Sequence, residues 1–170
     1  MTDYAQDSRD ARFALQEAAL GLRFDGEMVI GGNYVSVMRH GGQAFVSGQI
    51  PRVGNTVMVT GRVGDDVSLT QAQHAAKICA MRALALLRQA LGSLDCVGQI
   101  LKVGVYVQSA AGFTQQSEVA DAASALLHAV LGEEGRHTRT SVGVFQLPKN
   151  AAVEIDLIAA VNPPQGMSGA

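Results

Sequence analysis

Between Ser68 and Gln108 the apolar residues change their repeat once, and that change restricts the fold. Ala72, Ala75, Ala76, Cys79, Ala83, Leu84, Leu87 and Leu91 recur at helical spacing, and Gly92 stops the run. Ser68-Leu69-Thr70-Gln71 stands ahead of them as a capping box: the hydroxyl and the glutamine amide satisfy free groups of a first helical turn. From Val97 the repeat becomes two. Val97, Gln99, Leu101, Val103, Val105 and Val107 alternate with Gly98, Ile100, Lys102, Gly104, Tyr106 and Gln108. A long alanine-rich helix running straight into a strand with one apolar face calls for a helix layer packed on a sheet.

The flanking sequence supplies more of both elements. Phe13, Leu15, Ala18, Ala19 and Leu22 define one face of a short helix over Asp10–Leu22. After the turn Gly31-Gly32-Asn33, a strand is predicted over Tyr34–Arg39, a tight turn at His40–Gln43 and a partner strand over Ala44–Ile50, closed by Pro51. Residues 52–66 read as a loop that admits a short strand at Val57-Met58-Val59. A second helix, capped by Thr114, presents Val119, Ala122, Ala123, Leu126, Leu127 and Val130 and ends near Gly132. Two strands joined by a proline-containing turn occupy Arg136–Ile158. Residues 1–7 read as loose, and Pro163-Pro164-Gln165-Gly166 as the start of a disordered tail. The expectation is an α+β domain over residues 25–162, preceded by an extension with its helix (1–24) and followed by a tail (163–170). Its sheet is mainly antiparallel, with two helices on one face. The chain has few elements left for the other face, so a second subunit is expected to cover it.

Composition excludes several partners. Thirteen basic and fifteen acidic side chains give a net charge of −2, without the clustered Lys and Arg of a nucleic-acid footprint. No apolar run reaches the roughly 18 residues of a membrane span. The first residues lack a basic head followed by an apolar run, so no secretory signal is read there, and a cytoplasmic location is expected. Cys79 and Cys96 form no metal or redox spacing, and the four histidines form no ligand pair, so no metal is expected. Cys79 falls on the apolar stripe of the long helix. Gly61-Arg62-Val63-Gly64-Asp65 lacks the Lys-Ser/Thr of a phosphate loop, and Ser47-Gly48-Gln49 lacks a nucleophile elbow.

The chemistry-bearing residues concentrate near the C-terminus. Residues two apart on a strand share a face. His137, Arg139 and Ser141 therefore point one way, and Val142 and Val144 the other. On the last strand Glu154 and Asp156 oppose Val153, Ile155 and Leu157. Arg139 offers a planar fork suited to a carboxylate, either that of Glu154 in a structural ion pair or that of a ligand. His137 has the pKa range of a general acid or base, or is a strand-edge histidine without chemistry.

Val46-Ser47-Gly48-Gln49-Ile50-Pro51 resembles the SGQIP strand of the RidA/YjgF family of imine/enamine deaminases, also labelled endoribonuclease L-PSP or translation inhibitor. Arg139-Thr140-Ser141-Val142, Leu147-Pro148-Lys149 and Val153-Glu154-Ile155 resemble its C-terminal signature, and the similarity runs from about Gly32 to Val161. The resemblance implies a chorismate-mutase-like fold, a homotrimer and clefts between subunits that take a small carboxylate or imino acid without a cofactor. By the same resemblance Arg139 would hold the substrate carboxylate and Glu154 would handle water or its proton. Tyr34 would line the pocket, and main-chain groups at Gly48 and Ser141 would face the ligand. The N-terminal helix and a longer segment over residues 109–118 depart from the compact family pattern, and Thr114 to Glu118 of that segment would reshape one wall of the cleft. Two further roles stay open: a binding or regulatory trimer without turnover, and the ribonuclease of the older label.

Overall fold

A computed structural model describes residues 8–26, 28 and 32–162. The expected loose start, the C-terminal tail and Gly31 of the early turn lie outside these residues. Among them, a five-stranded sheet in the order β1-β2-β7-β5-β6 carries three α-helices on one face. The strands are β1 (Val37–His40), β2 (Gln43–Gln49), β5 (Val97–Gln108), β6 (Thr138–Val144) and β7 (Val153–Val161). A separate hairpin pairs β3 (Arg52–Val53) with β4 (Thr56–Val57). The helices are α1 (Arg9–Leu20), α2 (Leu69–Leu91) and α3 (Gln116–Leu131). The expected α+β architecture is present. Every pairing of the large sheet is antiparallel except β5 with β6.

The capping box forms as read. Ser68 Oγ accepts from the Gln71 amide at 3.3 Å, and Gln71 Oε1 accepts from the Ser68 amide at 2.9 Å. Gly92 ends α2 at φ +87°, a conformation that costs a side-chain-bearing residue more. Helix α2 packs against both the sheet and α3, and its middle, residues 78–87, is buried all round rather than along one stripe. Its alanines let the helix approach the sheet closely, while Leu84 and Leu87 fill the layer with Val103, Val105, Ile155 and Leu157, all essentially inaccessible. Truncating any of these leucines to alanine would cost about 2–5 kcal/mol, from lost burial plus the cavity left behind.

Helix α1 joins the same core. Ser8 caps it by accepting from the Ala11 amide at 3.1 Å, and Phe13 is fully buried with the Arg88 guanidinium 4.3 Å from its ring centre.

Three local expectations change. Thr114 does not cap α3: Gln115 holds the cap position without a side-chain bond. The chain instead turns at Ala110–Phe113, and Gln116 Nε2 reaches back to the Phe113 carbonyl at 2.8 Å. The first strand starts only at Val37, leaving Tyr34 and Val35 exposed. In β5 the alternation is interrupted between Ile100 and Lys102, so Ile100 enters the core where strict parity would place Leu101. The two strands joined by the proline-containing turn are present as β6 and β7, with β5 lying between them in the sheet. A turn containing Pro148 carries the chain across the end of β5, held by Gln108. That side chain donates to Asn150 Oδ1 at 2.7 Å and accepts from the Leu147 amide at 2.8 Å.

Candidate functional site

Strand β6 is an edge strand, with one side of its backbone unpaired among the described residues. Its register pairs Arg139 with Val103 and Ser141 with Val105, and both valines face the helices. Arg139 therefore points toward α3. Its Nη1 donates to Asp121 Oδ1 and to Ser124 Oγ, each at 2.9 Å, while Nη2 makes only 3.4 Å contacts to Ser117. Asp121 is mostly exposed, so this ion pair positions the guanidinium more than it stabilises the fold.

His137 sits behind the arginine. Its Nδ1 lies 2.7 Å from the Gly135 carbonyl and its Nε2 2.9 Å from Ser124 Oγ. A carbonyl only accepts, so Nδ1 carries the proton and Nε2 accepts from the serine hydroxyl. Burial, reinforced by the Arg139 charge, pushes the imidazole below its ordinary pKa. Ser117, Ser124, His128, His137, Arg139 and Ser141 help line an open cavity of about 650 Å³.

The second group lies on the opposite face of the sheet. Glu154 pairs with Tyr106, whose parity on β5 is the reverse of Val103, Val105 and Val107. The bulge in β2 between Val46 and Gln49 turns Gly48 toward this carboxylate. A Cβ on Gly48 would overlap the Glu154 side chain, so the missing side chain makes its space. Asp156 lies over Gly104 in the same way and accepts from Tyr106 Oη at 3.0 Å. Burial, then repulsion from Asp156, raises the pKa of Glu154 above the ordinary carboxylate value. Glu154 has no cationic partner among the described residues.

The cavity beside Glu154 has a volume of about 200 Å³ and includes Tyr34, Gly48, Arg52, Arg82 and Lys149 in its lining. Lys149 and Asn150 adopt positive φ (59° and 56°), a strained arrangement for residues other than glycine, and they sit in the turn that closes this cavity.

The residues singled out in the sequence thus separate into two clusters. Tyr34, Gly48 and Glu154 share one cavity, and Arg139 and Ser141 share another. An Arg139–Glu154 ion pair within one chain is overturned, since the sheet stands between the two side chains and Asp121 takes the arginine. Sequence reasoning missed Ser117, Asp121 and Ser124, which hold the arginine. It also missed Arg52 and Arg82. Arg82 was detectable: it lies three residues after Cys79, inside the apolar stripe of α2, where a charge is out of phase with its surroundings.

No described helix is long and apolar enough to cross a membrane, and no three His, Cys, Asp or Glu side chains among the described residues gather to hold a metal.

Comparisons with known proteins agree on one family. The family model described as "YjgF/chorismate_mutase-like, putative endoribonuclease" matches residues 15–161. Protein TCP17 of Trypanosoma cruzi is 41% identical over 152 residues, covering 89% of this chain and 95% of its own. The crystal structure of Atu1372 from Agrobacterium tumefaciens, a protein of unknown function, is 38% identical with a TM-score of 0.82, covering 93% of this chain and 94% of that one. A structure named as a putative endoribonuclease from Shewanella oneidensis is 26% identical with a TM-score of 0.83, covering 91% and 100%.

Proposed function

The chain belongs to the YjgF/chorismate-mutase-like family, and from that premise we propose that it hydrolyses small imino acids, or their enamine tautomers, to 2-keto acids and ammonia. The observation that carries this reading is the division of the candidate residues between two faces of one sheet. An arginine fork at an edge strand and a protonatable carboxyl on the open face are complementary parts of one imine-hydrolysing site. They can meet only when one chain's edge approaches another chain's face. A homotrimer with clefts between subunits satisfies that requirement and covers the open sheet face.

The chemistry follows from the groups. An enamine such as 2-aminoacrylate tautomerises to 2-iminopropionate, whose imine carbon is already electrophilic. Arg139 orients the carboxylate through Nη2, which has the weaker protein contacts. Glu154 takes a proton from the attacking water and returns one to the nitrogen. A C–O bond forms, the carbinol hydroxyl then gives its proton by way of Glu154 to the nitrogen, the C–N bond breaks, and ammonia leaves with the 2-keto acid. A carboxyl held above its usual pKa suits this exchange near neutrality.

One observation favours a second reading. The Arg139 fork is already engaged by Asp121 and Ser124, as in a protein that binds a carboxylate or uses the arginine structurally. The ribonuclease reading draws on the names given to relatives, while a net charge of −2 supplies no basic footprint for it.

The deciding experiment generates 2-aminoacrylate in situ and follows imine decay with the wild-type protein and Arg139→Ala. Acceleration by the wild type that disappears in the variant supports the reading. No acceleration across several amino-acid-derived imines removes it. A monomeric mass under assay conditions removes the shared cleft.

A further inference from the structure

The cavity beside Glu154 contains more positive charge than the proposed reaction uses. Arg82, on α2, is only 4% exposed. Its Nε donates to Gln49 Oε1 at 3.3 Å and its Nη1 to the Arg52 carbonyl at 2.9 Å. Both acceptors are neutral, and Nη2 has no protein acceptor among the described residues. Arg52 lines the same cavity, and its Nε is buried without a partner among the described residues. Lys149 completes the cationic lining from the strained turn. Asp25 lines a neighbouring pocket that the two arginines also border, but its carboxylate is taken by Arg23 at 2.7 Å.

Buried Arg82 and partly buried Arg52 thus meet beside this cavity, and among the described residues no carboxylate pairs with either. Burying an unpaired guanidinium is costly, and the cost rises when a second one adjoins it. Burial, and next to it the Arg52 charge, oppose the charged form of Arg82. An anion seated between them would offset both the burial and the mutual repulsion and accept from the open donors. A volume of about 200 Å³ is below the roughly 300–1,000 Å³ of drug-sized ligand sites, so it suits a carboxylate group on a short chain.

We infer that Arg82 and Arg52, assisted by Lys149, form a subsite for a second carboxylate, so that the preferred ligand is a dicarboxylic imino or keto acid. The assignment rests on the proposed function for the first carboxylate, which Arg139 would hold. Glu154 then faces the reacting carbon between two anchored ends, and an imino acid with an acidic side chain is favoured over one with an alkyl side chain.

Calorimetric titration of the intact protein with 2-oxoglutarate and with 2-oxobutyrate, at one ionic strength, tests it. The expected result is at least tenfold tighter binding of the dicarboxylate, about 1.4 kcal/mol. Arg82→Gln should remove most of that preference and leave 2-oxobutyrate binding within about twofold, since 2-oxobutyrate does not reach the subsite. Equal affinities in the wild type, or a preference that survives in Arg82→Gln, overturn the subsite. Arg52→Gln repeats the measurement from the rim if the α2 variant folds poorly, and a preference unchanged in it has the same consequence. The two proposals fail differently. Imine turnover without a dicarboxylate preference leaves the deaminase reading intact and removes the subsite. An Arg82-dependent preference without imine turnover does the reverse.

Discussion

Arg139 and Glu154 leave the sheet from opposite faces, with β5 standing between the strands that carry them. Arg139 follows Val103 toward the helices, and Glu154 follows Tyr106 toward the open face. A site that uses both side chains therefore draws them from different chains. This relationship makes assembly a condition of the proposed reaction.

Arg139→Lys keeps the charge and loses the fork. Charge-assisted hydrogen bonds are worth about 1.5–3 kcal/mol, so kcat/KM for imine hydrolysis should fall roughly 10- to 100-fold. The imine-decay assay reads this directly. A lysine variant as active as wild type would show that the planar fork is not used.

Glu154→Gln should lose about a hundredfold or more in rate while gaining stability at neutral pH. The folded-state pKa lies above the ordinary value of 4.5. The folded chain thus binds more protons in that window, and stability from this group falls as pH rises through the raised pKa. Glutamine removes the penalty. Melting curves should show the variant ahead of wild type at pH 7, with the gap closing as pH falls toward about 4.

His137 gives the opposite slope. Its folded-state pKa lies below the ordinary 6.5. The unfolded chain binds more protons in that window, so the contribution to stability is complete above about pH 6.5 and is lost as pH falls toward the depressed value. His137→Gln can keep a donor toward Gly135 and an acceptor for Ser124. It should flatten this acid-side loss in a series of melting temperatures.

Gly48→Ala places a methyl group where the Glu154 carboxylate lies. Overpacking of this kind costs roughly 1–3 kcal/mol. Adding Glu154→Ala should recover much of it, so chemical denaturation of the four proteins in the cycle should show strong non-additivity. Simple addition of the two effects would mean that Gly48 is needed for another reason.

Phe13→Ala should cost about 3–5 kcal/mol by denaturant titration, because the ring is fully buried and stacked under Arg88. A much smaller cost would mean that α1 is dispensable to the core.

Several elements could be read directly because their signals are local. The Ser68–Gln71 box, the Gly92 stop and the repeat of two through Val103, Val105 and Val107 each depend on residues close in sequence, and each is present in the fold. Other features depended on pairing. The β2 bulge that turns Gly48 toward Glu154, and the irregularity that puts Ile100 in the core, arise only when strands align. Thr114 had the chemistry of a cap, but the preceding turn moved the helix start past it.

The candidate site divides along the same line. Sequence alone singled out Arg139, Ser141 and Glu154, because parity is a property of a strand taken by itself, and the family resemblance added roles for Tyr34, Gly48 and the Ser141 main chain. Only the tertiary structure decided that β5 separates β6 from β7, that Asp121 takes the arginine, and that Arg82 and Arg52 line the cavity that holds Glu154. Strand order and side-chain convergence are set by long-range packing, which no local period encodes.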